Sequence, residues 1–271
     1  MKHKDKPRTL INLIGMPSLL SIIFFGDVVF LSFIYIVIFL CTKELYNICR
    51  EKEYYLNIIW LYSIYVLMYI SHYVDFSLIA IKPTIISLLF ILFIYSIFKG
   101  SKKLLPSISI TLFAFVWIAL FLDSAVYLRN MENGRNVIYT IFLSVWMCDS
   151  AAYIFGKKFG KSKILPSISP NKTWVGTFSG LVFSTILLYM LVYIDFIKFS
   201  SYVLTFYDVI IMGVIVGVLG QLGDFFESMI KREFDIKDSG TLLQGHGGVL
   251  DRFDSLLFVL PAFYIYFKNI L

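Results

Sequence analysis

The chain has 271 residues, 59% of them hydrophobic and only 15% charged, with a formal net charge of +6 at pH 7. A soluble domain carries roughly a quarter charged residues, so an ordinary water-soluble globule is excluded. The long apolar runs do not alternate as the strands of a membrane β-barrel do, which leaves an all-α polytopic integral membrane protein.

In chain order, apolar spans are expected near 10–25, 27–48, 56–73, 77–98, 104–127, 137–155, 174–196, 205–226 and 255–271. The first is short and broken by Pro17, which leaves eight spans or a re-entrant start open. Lys2, Lys4, Lys6 and Arg8 precede it as they would in a signal peptide. No small-x-small cleavage site follows, however, and further spans come after. With nine spans and the N-terminus inside, 19 of the 24 Lys and Arg residues fall on one side. Lys82, Arg129, Arg135, Lys198 and Lys268 remain on the other. The positive-inside rule makes the basic side cytoplasmic, at the cell's inner membrane. Cys41, Cys49 and Cys148 form no C-x-x-C pair and read as small apolar side chains. The positive charge suits anionic headgroups or phosphates, and no nucleic-acid module is visible.

The two halves of this single membrane domain differ. Residues 1–136 are N-terminal spans joined by short, chemically plain loops, whereas 137–271 carry two long polar segments on the expected cytoplasmic side. The first, WMCDSAAYIFGKKFGKSKILPSISPNKTWVG over 146–176, places Asp149 inside a span. An ionisable residue at membrane depth is a functional candidate by default, and the competing reading is a paired helix-packing residue. Lys157, Lys158, Lys161, Lys163 and Lys172 follow, interspersed with Gly156, Gly160, Pro166 and Pro170. Membrane-surface anchoring accounts for any single lysine. The Gly and Pro spacing instead suggests a shaped loop that surrounds phosphates, though not a P-loop.

The second segment, GQLGDFFESMIKREFDIKDSGTLLQGHGGVLDRFDS over 220–255, puts Asp224, Glu227, Ser228 and Lys231 on one face if 221–232 is helical. A charge-paired helix end is the bland alternative. Lys237 and Asp238, a glycine-rich turn around His246, and then Asp251 and Asp254 complete it. Many carboxylates, few histidines and no paired cysteines describe a hard-cation site, Mg²⁺ foremost. Glycine at 245, 247 and 248 lets backbone approach a phosphate closely. Carboxylates, cations and glycine-rich backbone at one membrane face fit phosphoryl or nucleotidyl transfer, which works by positioning and charge neutralisation.

At these residues the chain closely resembles the phosphatidate cytidylyltransferases (CDP-diacylglycerol synthases). Their signature runs S-x-x-K-R, K-D, a glycine, then H-G-G-x-x-D-R-x-D. Here it is matched by Ser228, Lys231, Arg232, Lys237, Asp238, Gly240, His246, Gly247, Gly248, Asp251, Arg252 and Asp254. DSAAYIFGKKFGKSKILPSISPNKTWVG resembles a second family motif, so the motif resemblance covers roughly 149–255.

The resemblance implies that CTP and phosphatidic acid give CDP-diacylglycerol and pyrophosphate, with Mg²⁺; a second cation, monovalent or divalent, is left open. It implies Asp224, Asp238, Asp251 and Asp254 as metal candidates, Asp238 and Asp251 foremost. Lys172, Lys231, Arg232, Lys237 and Arg252 would neutralise the triphosphate and the lipid phosphate. Ser228, Gly247 and Gly248 would help bind substrate, and His246 would join Asp238, Asp251, Lys237 and Arg252 at the reacting centre.

Two positions depart from the family pattern. Val175 stands where an acid is usual, and Gln244 where a proline precedes the glycine and His246. Competing readings are a CTP-dependent polyprenol kinase, a cytidylyltransferase on another lipid phosphate, a transporter, and a non-catalytic scaffold. A homodimer is compatible with such an enzyme, but no periodicity demands one.

Overall fold

The computed structural model describes residues 6–73, 78–99, 104–240 and 247–271. The helices are α1 (Lys6–Phe25), α2 (Asp27–Glu51), α3 (Ile58–Tyr73), α4 (Leu78–Lys99), α5 (Leu104–Asn130), α6 (Gly134–Phe159), α7 (Trp174–Tyr193), α8 (Phe206–Glu233) and α9 (Leu250–Ile270). Among the described residues there is no β-strand, only an isolated bridge between Lys163 and Thr173. An all-helical fold satisfies every interior backbone group within its own segment, which a lipid environment requires. Among the described residues, six helices are long and apolar enough to cross a membrane: α2, α5, α6, α7, α8 and α9. Gly15–Phe25 and Ile58–Tyr73 are shorter apolar stretches. The chain is a multi-pass membrane protein.

Phe30, Ile34 and Ile38 of α2, Leu122 of α5, Ile138 and Phe142 of α6, and Leu257, Phe263 and Phe267 of α9 are all essentially inaccessible and form one continuous core. By contrast α7 directs Phe178, Met190 and Tyr193 outward, each more than half exposed. On a membrane helix such a face meets acyl chains.

Small residues let the helices that carry the polar segments approach closely. A Cβ at Gly176 of α7 would lie 2.7 Å from the Ala152 carbonyl of α6, and one at Gly223 of α8 would lie 2.5 Å from the Asp254 carbonyl of α9. The α6–α7 and α8–α9 pairs are thereby locked where their charged residues lie. Two helices contain a π-helical stretch, Phe115–Leu120 in α5 and Ile215–Gly220 in α8. The second ends just before Gln221 and Asp224.

Several helices run past the apolar spans. Helix α6 continues to Phe159 rather than ending near 155, and α8 to Glu233 rather than 226. Polar residues there still complete intrahelical hydrogen bonds once outside the apolar layer, so hydropathy stops before the helix does.

Candidate active site

Three elements make a polar wall at one end of the bundle. Helix α6 brings Asp149, Tyr153, Gly156 and Lys157; the connection that follows it brings Gly160, Lys163, Asn171 and Lys172; α8 brings Gln221 and Asp224. The first turn of α7, with Thr173, Gly176 and Thr177, closes the other side. Together they enclose a cavity of about 600 Å³, within the range that holds a nucleotide-sized ligand.

The connection is folded back on itself. Ile164 N donates to Lys172 O at 3.3 Å and Trp174 N to Ser162 O at 3.2 Å, which brings Lys163 and Lys172 to the same opening. Thr173 Oγ1 accepts from Gly176 N at 3.2 Å and caps α7. The positive end of that helix therefore faces the cavity as well.

Lys172 Nζ is 2.6 Å from Asp224 Oδ2 and lies over the Phe225 ring, 4.2 Å from its centroid. Ser228 Oγ approaches Asp224 Oδ1 at 3.4 Å. Gln221 Nε2 donates to Gly217 O at 2.8 Å and to Thr177 O at 3.1 Å, which fixes α8 against α7. Asp149 and Asp254 interact electrostatically with Asp224 and with Lys172. One cation thus stands among three carboxylates from three helices, with Lys157 and Lys163 at the rim.

A second network lies farther along the same helices. Lys231 Nζ sits 2.7 Å from Asp251 Oδ1 and 2.5 Å from Glu227 Oε2. Glu227 is fully buried and lies against the Asp251 carboxyl as well as Lys231. Asp251 Oδ2 accepts from Gly248 N at 2.6 Å, Ser239 N at 3.0 Å and Ser239 Oγ at 3.0 Å. Gly247 has φ +76°, a left-handed conformation that favours glycine, and a Cβ there would strike the Asp251 carboxylate.

Asp251 and Asp254 begin the same helix yet face different partners, Lys231 and Ser239 for the first, Asp224 and Asp149 for the second. Of the residues singled out in the sequence, Asp149, Lys157, Lys163, Lys172 and Asp224 line the cavity, and Ser228 and Asp254 adjoin Asp224. Glu227, Lys231, Asp251, Gly247 and Gly248 come together in the second network.

The others lie elsewhere. Lys237 and Asp238 are exposed, and no hydrogen bond or ion pair holds either among the described residues. Arg232 donates from Nε to Ile168 O at 3.3 Å and from Nη1 to Ile236 O at 3.1 Å, tying the two polar loops to each other. Arg252 is exposed at the start of α9. His246 and Gln244 lie outside the described residues. Val175 is exposed in the first turn of α7, so no carboxylate occupies that point. Among the described residues no three His, Cys, Asp or Glu side chains are grouped tightly enough to hold a metal ion by themselves.

Three residues of these networks were not singled out by the sequence: Gln221, Ser239 and Glu44. Glu44 had a legible signal, because it is an acid near the end of a strongly apolar span, the same argument that marks Asp149. Its carboxylate accepts from Ser239 Oγ at 2.9 Å, Val249 N at 2.8 Å and Leu250 N at 2.9 Å.

Fold and site together define a membrane protein that opens a lysine- and carboxylate-lined cavity at the ends of its helices. Residues 6–270 match the cytidylyltransferase family, and the chain belongs to it. It is 35% identical over 265 residues to the phosphatidate cytidylyltransferase of Staphylococcus saprophyticus, covering 94% of this chain and 96% of that protein. It is 34% identical to the phosphatidate cytidylyltransferases of Staphylococcus haemolyticus and Staphylococcus aureus, over 261 and 262 residues, with the same coverage.

Proposed function

We propose that this chain is a membrane nucleotidyltransferase that makes CDP-diacylglycerol from CTP and phosphatidic acid. In this reaction an oxygen of the lipid phosphate bonds to the α-phosphorus of CTP. The bond from that phosphorus to the β-phosphate oxygen breaks, and pyrophosphate leaves with the electron pair. The nucleophile arrives already ionised, so no protein nucleophile is needed. What the protein must supply is neutralisation of several negative charges and a fixed approach.

The observation that carries the reading is the roughly 600 Å³ cavity bearing Lys157, Lys163, Lys172, Asp149 and Asp224. It lies in a chain whose relatives of nearly equal length bear the phosphatidate cytidylyltransferase name. Lys157 and Lys163 stand at the rim, where phosphates would enter, and Lys172 stands deeper against Asp224. Lys231 and Arg252 lie toward the start of α9 and would extend the cationic surface.

Mg²⁺ fits this donor set. It commonly binds through one or two carboxylates plus substrate phosphates, keeping its remaining waters, and Asp224 and Asp254 with Asp149 nearby offer hard oxygens of that kind. Mg²⁺ bound there would offset phosphate charge; a second cation, monovalent or divalent, is compatible with the third carboxylate. Asp238 would join this set only if the 235–240 turn moved inward. We place the cavity on the cytoplasmic side of the cell's inner membrane, where CTP is available, with the N-terminus on the same side. Nine crossings, together with the distribution of Lys and Arg, would give that arrangement.

The test is product analysis of the purified protein in detergent, supplied with CTP, phosphatidic acid and Mg²⁺. Stoichiometric pyrophosphate and CDP-diacylglycerol are expected. CDP appearing with a newly phosphorylated lipid alcohol, and no pyrophosphate, would make it a lipid kinase instead.

A further inference from the structure

We propose that Glu44 is a positioning residue for the transfer reaction, acting through Ser239 and the first turn of α9 to orient Asp251 and Lys231. The inference rests on the cytidylyltransfer reading above and adds to it a residue from the N-terminal half of the chain.

Glu44 is 5% exposed and is the one charged residue on the buried face of its helix. A carboxylate so placed costs several kcal/mol unless its lone pairs are matched. Among the described residues no Lys, Arg or His forms an ion pair with it. Its three donors are the Val249 and Leu250 backbone N–H groups and the Ser239 hydroxyl.

The two backbone donors are unsatisfied N–H groups at the start of α9. No side chain of the α9 segment itself caps that end. The cap is brought instead from α2, about two hundred residues earlier in the chain. Space has been cleared for it: a Cβ at Gly240 would lie 2.8 Å from Glu44 Oε1, and one at Gly248 would collide with Glu44 Oε2 and Ser239 Oγ.

What separates this arrangement from an ordinary cap is the serine. Ser239 Oγ lies 2.9 Å from Glu44 Oε2 and 3.0 Å from Asp251 Oδ2, and a hydroxyl has one proton to donate. Two carboxylates therefore share it, and the Ser239 and Gly248 N–H groups complete the hold on the same oxygen of Asp251. Asp251 has its other oxygen fixed toward Lys231. Moving Glu44 releases the 239–240 and 248–250 backbone that aims Asp251, and with it the Lys231 ammonium group.

The experiment compares wild type with Glu44→Gln and Ser239→Ala. Steady-state turnover of CTP and phosphatidic acid is measured, together with the rate of Lys231 acylation by an amine reagent, read by mass spectrometry. Glutamine keeps the size but turns an NH₂ toward the donors at one oxygen. Alanine removes the shared proton and leaves both Glu44–backbone bonds, so it keeps the question answerable if Glu44→Gln fails to fold. Outer-layer partners of this kind typically change activity by about 10–100-fold. Such a fall in kcat is expected for both variants, with KM for CTP changed less, and with Lys231 labelled faster.

Folded variants with wild-type kcat and wild-type labelling would overturn the proposal and leave Glu44 as a helix cap. If wild type itself shows no turnover, the cytidylyltransfer reading fails. The labelling still decides whether Glu44 orients Lys231.

Discussion

Two buried acids at different levels of α2 and α5 show how alike groups serve different ends. Asp123, 3% exposed, accepts from the Tyr35 hydroxyl at 2.9 Å and from His72 Nε2 at 2.9 Å. Glu44 lies about 14 Å farther along α2 than Tyr35 and is as deeply buried, but its donors are the backbone and serine that hold Asp251. The nearby cavities differ too, about 220 Å³ lined by Asp27, His72 and Arg129 against about 600 Å³ lined by three lysines and two aspartates. Burial of an acid is therefore not the mark of the site. The mark is a large opening where lysines and carboxylates from several elements converge.

The largest effect is expected inside the larger cavity. Asp224→Asn leaves Lys172 without its partner and removes a hard oxygen from the centre of the site. Loss of one such electrostatic group commonly lowers turnover by about 10²–10³-fold, and pyrophosphate release with saturating CTP checks it. Next comes Lys231→Met, which leaves Glu227 and Asp251 buried without their cation. Removing one member of a buried pair costs about 3–5 kcal/mol, read as a lowered thermal midpoint in detergent together with lost activity. Asp123→Asn should separate the regions most sharply. Both partners meet the same oxygen, Oδ1, so asparagine can keep an acceptor there and loses only the charge on it, at about 1 kcal/mol of stability. Its kcat/KM should stay within a few-fold of wild type.

The smallest effect concerns the exposed pair of Lys52 Nζ and Asp235 Oδ2, 2.7 Å apart, which joins the end of α2 to the turn after α8. The hydrogen bond from Lys52 holds the Asp235 carboxyl below the ordinary carboxylate range. A depressed folded value contributes stability above the unfolded carboxylate's pKa, and that contribution is lost as pH falls through the lower folded value. Both side chains are solvated, so salt screens them. Asp235→Asn should barely shift the thermal midpoint at neutral pH in low salt, and not at all in strong acid.

The fold was legible because apolar runs long enough to cross a bilayer leave few alternatives to helices. The α8 face was legible as well: Asp224 and Ser228, and Glu227 and Lys231, meet at the spacing a helix imposes. Glu44 carried the signal of an acid in an apolar span, but its role was not legible, since its partners lie about two hundred residues away and helical spacing reports only on neighbours. The 234–240 segment defeats spacing for another reason. Asp235 has φ +56°, and the turn it makes leaves Lys237 and Asp238 exposed to solvent while Ser239 is buried beside Asp251. A linear motif gives the order of these residues but not which of them the turn directs inward.

The most direct test measures lipid-dependent pyrophosphate release from CTP by wild type, Asp224→Asn and Asp123→Asn, each confirmed as folded. Release by wild type and Asp123→Asn, with little from Asp224→Asn, is the expected result. Equal losses in both variants, or no release by wild type, would contradict the assignment of the chemistry to the larger cavity.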